Sequence, residues 1–79
     1  MNRYFFHVYD GVGFVADDEG RELADLDQAR AAALKGARSL ICADVQTGVL
    51  DLRGRIDVTD ESGSVVLAVA FAEAVQVRS

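Results

Sequence analysis

The chain has 79 residues, 51% hydrophobic and 27% charged, which argues against a disordered chain and allows one small domain in which a second copy would extend a modest core. Thirteen acidic against eight basic side chains give a formal charge of −5, and with the basic residues spread singly this disfavours nucleic acid and anionic membranes as partners. The single cysteine, Cys42, excludes an internal disulfide, and the longest apolar run, Val65–Ala72, falls far short of the ~20 residues that span a bilayer.

The first predicted element is a strand, Arg3-Tyr4-Phe5-Phe6-His7-Val8-Tyr9, which gathers four of the six aromatic residues and the only histidine. Alternation sends Tyr4, Phe6 and Val8 to one face and Phe5, His7 and Tyr9 to the other, so one covering layer hides only half of this surface. Asp10-Gly11-Val12-Gly13 is a turn signal, and Phe14-Val15-Ala16 returns antiparallel. Asp17-Asp18-Glu19-Gly20 ends that strand, and Arg21-Glu22-Leu23 is expected to be a connection to the helix.

Asp25 caps the predicted helix, and Gln28 completes a capping-box pattern, with Asp27 adding negative charge to the first turn. Leu26, Ala29, Ala33, Ala37, Leu40 and Ile41 form one apolar stripe, its alanines allowing a close approach to a sheet. Gly48 terminates a helix of roughly five to six turns. Cys42 lies about 160° from Leu26, away from the stripe. Arg30 and Asp44 sit inside or beside the stripe and mark either a sheet edge or charges that need a partner.

After an apolar-anchored connection, Arg55–Thr59 and Val65–Val69 read as a second hairpin around Asp60-Glu61-Ser62-Gly63. A four-residue loop pairs Val58 with Val65 and Ile56 with Leu67; a glycine bulge pairs Val58 with Val66 and Ile56 with Ala68. The first is preferred because it collects the large apolar side chains on one face. Phe71–Val75 forms a last helical turn or continues extended, and Gln76–Ser79 frays. The expected fold is α+β: strand, strand, helix, strand, strand, as one antiparallel sheet of about four strands with a single long helix on one face, all within residues 1–79.

No catalytic set emerges. A lone His7 between aromatics fits a packing or interface role better than general-base chemistry, which needs convergent partners. Asp10, Asp17, Asp18 and Glu19 lack the spacing of a calcium loop, and Gly11-Val12-Gly13 lacks the context of a phosphate loop, so no metal and no cofactor is expected. The uncovered face, with Phe5, His7, Tyr9, Arg55 and Asp57, is instead the candidate interface. Aromatic surface on a small domain is usually covered by a partner, and the neighbouring charges do not favour stacked RNA bases.

The opening Arg3-Tyr4-Phe5-Phe6-His7-Val8, then Asp10-Gly11, Asp18-Glu19-Gly20-Arg21-Glu22-Leu23, Asp25-Leu26-Asp27-Gln28-Ala29-Arg30 and Gly54–Gly63 resemble a family of short bacterial proteins of unknown function, frequent in soil and plant-associated proteobacteria. This resemblance covers nearly the whole chain and implies a stand-alone cytoplasmic domain, without carrying over any site residue. Phe14–Leu34 is also similar, in topology alone, to the core of HicB-type antitoxins. The sequence thus leads to a noncatalytic interaction or regulatory module, cytoplasmic and homodimeric through its uncovered sheet face; the alternative is an acidic, antitoxin-like inhibitor of a basic protein partner.

Overall fold

The computed structural model describes residues 2–10 and 13–76. Gly11 and Val12 of the first turn and Val77–Ser79 of the expected frayed tail lie outside the described residues. The elements run β1 (Asn2–Tyr9), β2 (Phe14–Val15), β3 (Arg21–Leu23), α1 (Leu26–Gln46), β4 (Arg55–Thr59), β5 (Val65–Ala70) and α2 (Phe71–Ala74). They form one open antiparallel sheet in which β1 is central, with β2 and β3 along one edge and β4 then β5 along the other. The α+β expectation holds, with one strand more: Arg21–Leu23 is no mere connection but pairs Asn2 with Leu23 and Tyr4 with Arg21.

The pairing along that edge of β1 is interrupted. Val8 opposes Val15 near the first turn, whereas Tyr4 opposes Arg21 at the far end, so the returning chain carries two more residues than the strand it follows. The surplus is looped out between β2 and β3, which are in effect one strand broken by an insertion.

Tyr4, Ile56, Val58 and Val69 from the sheet, Phe71 and Ala74 from α2, and Ala29, Ala33, Ala37 and Ile41 from α1 form the buried core, with Phe6 and Val8 packed against it. The two faces of β1 therefore divide as alternation predicts. Small side chains on α1 let it lie close to the sheet: Gly36 stands within van der Waals reach of the Ile56 side chain. Leu26 and Leu40, placed on the apolar stripe by sequence, are about half and over a third exposed. They sit at the margins of the stripe, where a narrow sheet cannot cover them.

The helix ends follow their local chemistry. Asp25 Oδ1 accepts the Gln28 N–H at 2.9 Å, but Gln28 Oε1 accepts from Ala24 N–H at 3.0 Å, one residue before the position a capping box requires. At the C-terminus, Gly48 takes φ +86°, with Gly48 N–H donating to Val45 O and Val49 N–H to Asp44 O, a Schellman motif. Arg30 faces Glu73 of α2 at 4.0 Å, which accounts for a charge beside the stripe. Phe71–Ala74 is helical, and Glu73 Oε2 accepts the Ala70 N–H.

Neither expected register of the second hairpin is the observed one. Asp60 N–H bonds Ser64 O and Gly63 takes φ +87°, so Thr59 opposes Val65, as a glycine-bulge loop dictates. A further bulge between Val58 and Thr59 then sets Val58 opposite Leu67 and Ile56 opposite Val69. Two slips of one residue restore the parity that a single slip would have inverted, and so the apolar set stays under the helix.

Gly54 is buried at the foot of β4, where its carbonyl accepts the Phe71 N–H at 2.9 Å and a Cβ would stand 2.5 Å from the Phe71 ring and 2.6 Å from Tyr9 O. Gly54→Ala is accordingly expected to cost about 2–4 kcal/mol, whereas Gly13→Ala, where a Cβ meets nothing within 4 Å, changes stability by less than about 0.5 kcal/mol. Urea denaturation of the two variants beside the wild type measures both.

Candidate functional site

The sheet face turned away from α1 brings together all five residues of the predicted interface. Antiparallel pairing of β1 with β4 sets His7 opposite Asp57, Tyr9 opposite Arg55 and Phe5 opposite Thr59. The Arg55 guanidinium lies 4.2 Å from the centre of the Tyr9 ring, and its Nε donates to Asp57 Oδ1 at 3.0 Å. On the other side of Tyr9 the Phe14 ring packs at a centroid distance of 4.5 Å and reaches His7 at 6.0 Å. Phe14, outside the predicted set, joins this face because it pairs directly opposite Tyr9. It is about half exposed.

His7 is anchored through both ring nitrogens. The Asp17 backbone N–H donates to Nδ1 at 3.1 Å, which requires a lone pair there and puts the imidazole proton on Nε2, from which it is shared with Thr59 Oγ1 at 3.1 Å. Thr59 is buried, and the bond satisfies its hydroxyl. A ring held in this way keeps no lone pair for general-base work. The clefts of about 460 and 420 Å³ are lined by other residues, one between Asn2–Tyr4 and the β4–β5 turn, the other between Phe6, Val8 and α1.

Asp17 locks the looped-out segment to β1. Its Oδ2 accepts the Phe6 N–H at 3.0 Å, taking the place of a ladder bond where pairing is broken, and its Oδ1 accepts from Glu19 and Gly20 N–H at 3.1 Å each. Partial burial alone would raise the Asp17 carboxyl, but the backbone N–H groups of Phe6, Gly20 and Glu19, with His7 adding to them, hold it below the ordinary 3.8. Gly20, at φ +71°, passes so near the Phe5 ring and Tyr4 O that a Cβ would stand 2.9 Å from each. No sequence pattern announces this role of Asp17, because its partners on β1, Phe6 and His7, lie ten or more residues away.

The acids near the first hairpin do not converge on a cation site. Asp17 is committed to backbone donors and Asp10 Oδ1 accepts the Gly13 N–H at 2.7 Å; among the described residues no three histidine, cysteine or acidic side chains are grouped as a metal would need. Cys42 is exposed, as its helix position implies. Among the described residues no helix is long and apolar enough to cross a membrane.

The four charged side chains that alternation places on the uncovered face form two ion pairs, Arg3 with Glu22 at 3.2 Å and Arg55 with Asp57 at 3.0 Å. The face is thus charge-balanced in a chain of net charge −5.

Among known proteins, the sequence model of a domain of unknown function, DUF6894, matches residues 3–72. No curated protein and no solved structure matches the chain.

Replacing Asp17 by Ala leaves three backbone donors without their acceptor, and a loss of roughly 1–3 kcal/mol is expected at neutral pH. Because the folded carboxyl lies below 3.8, its contribution is complete above that pH and is lost as pH falls through the folded pKa. Urea titrations at pH 7 and pH 3 should therefore show the gap between Asp17→Ala and wild type narrowing in acid.

Proposed function

The chain belongs to the DUF6894 family of domains of unknown function, and we propose that it serves as a noncatalytic interaction module that homodimerises through the sheet face not covered by α1. One observation carries this reading: the face turned away from α1 gathers a half-exposed Phe14 with the partly buried Tyr9, His7 and Phe5, and its strand charges cancel in pairs. Two copies of an acidic protein repel at long range, yet here they can approach without setting like charges against each other, and burying aromatic area then favours contact.

The edges of the sheet support the face as the contact surface. β2 and β3 are short and separated by a loop bearing Asp18 and Glu19, while β5 has a bulge at one end and the Glu73 carboxylate on Ala70 N–H at the other. Such devices discourage strand addition. The engagement of both His7 nitrogens favours a noncatalytic role for that residue.

Light scattering after size exclusion at micromolar concentration is expected to return twice the 8.5 kDa of the chain, and Tyr9→Ser or Phe14→Ser to return the monomer with an unchanged far-ultraviolet spectrum. A monomeric wild type would sink the homodimer. If such a monomer retained a basic protein at low salt, the acidic antitoxin-like reading would take its place.

A further inference from the structure

We propose that His7 is a proton-operated latch: in its neutral form it holds the Asp17 backbone at the start of the Asp17–Gly20 loop, and protonation opens that bond and weakens self-association. The inference about association rests on the homodimer reading; the latch itself does not.

The geometry makes the two protonation states unequal at one bond only. Neutral His7, protonated at Nε2, donates to Thr59 Oγ1 and accepts the Asp17 N–H at Nδ1. A second proton must go to Nδ1, since Nε2 already holds one. That proton would face the Asp17 N–H across 3.1 Å, donor against donor, and the Asp17 bond has to open. The Thr59 bond survives in both forms, so the ring stays anchored to β4 while its hold on the loop is lost.

Several groups surround the ring. The Asp17 carboxylate from the loop and Asp57 opposite on β4 are the negative groups around it. Phe14 from β2 covers part of the ring, and Arg55 is held by Asp57 and Tyr9. Asp17 also accepts from Phe6, Glu19 and Gly20, so the loop stays tethered through its carboxylate while its backbone moves away.

The effect on association follows from charge balance. The face holds two ion pairs and no net charge; a protonated His7 adds one positive charge per copy, and a two-fold contact brings both into a surface that excludes water. Dimer dissociation constants are expected to rise by roughly tenfold between pH 7.5 and pH 5.5.

Nitrogen-15 NMR reads the latch directly. At pH 7.5 the His7 shifts should report a bare Nδ1 and a protonated Nε2, with the Asp17 amide slow to exchange with solvent. On titration to pH 5 the Asp17 amide should lose that protection in step with the His7 ring, while the β1–β4 ladder amides keep theirs. A neutral ring carrying its proton on Nδ1, a ring that does not titrate in this range, or an Asp17 amide indifferent to its titration would each overturn the latch. Sedimentation across the same range tests the consequence: wild type should lose affinity, and His7→Gln, which retains a hydrogen-bonding side chain without a titrating ring, should not. An unchanged wild-type constant overturns the link to association. A chain that is monomeric throughout refutes the homodimer and with it that link, while the NMR result still decides the latch.

Discussion

The backbone of β1 needs hydrogen-bond partners along both edges, because it lies in the middle of the sheet with side chains packed on either face. β4 supplies one edge without interruption from Phe5 to Tyr9. The other edge is served by a returning chain two residues too long, and the mismatch falls opposite Phe6. Asp17 resolves it by offering a carboxylate oxygen where a carbonyl would have stood, and by gathering the loop around its second oxygen. The close passage of Gly20 against β1 and the seat of His7 both follow from that closure.

A seam of this kind joins stability to surface chemistry. The segment that repairs the ladder also presents its backbone N–H to the only histidine, on the face that carries the aromatic cluster. Asp17 thus meets His7 through its backbone N–H, while its carboxylate is held by the N–H groups of Phe6, Glu19 and Gly20. Tyr9 shows a similar economy: it packs between Arg55 and Phe14, so one ring orders both a charge and an apolar side chain on the same surface.

The covered side is built on a different principle. α1 buries alanines rather than large side chains, and the bulk comes from the sheet through Tyr4, Ile56, Val58 and Val69 and from Phe71 of α2. Small against large allows a single helix to close one face of a narrow sheet. With both helices spent on that side, the opposite face has no cover within the described residues, and its aromatic content is a property of the whole fold as much as of β1.

Local physics made much of this legible in the sequence. Alternation divided β1 into Tyr4, Phe6 and Val8 beneath the helix and Phe5, His7 and Tyr9 outside it; Asp25 and Gly48 marked the ends of α1; and the alanine stripe gave its packed side. These rest on contacts within a few residues, where side-chain period and capping chemistry act directly. The tertiary structure alone decided the strand character of Arg21–Leu23, the double slip that pairs Val58 with Leu67, the role of Asp17 and the tautomer of His7. Each depends on where a distant backbone group points once the sheet has closed, and that direction is fixed by register, which a sequence constrains only to the correct face.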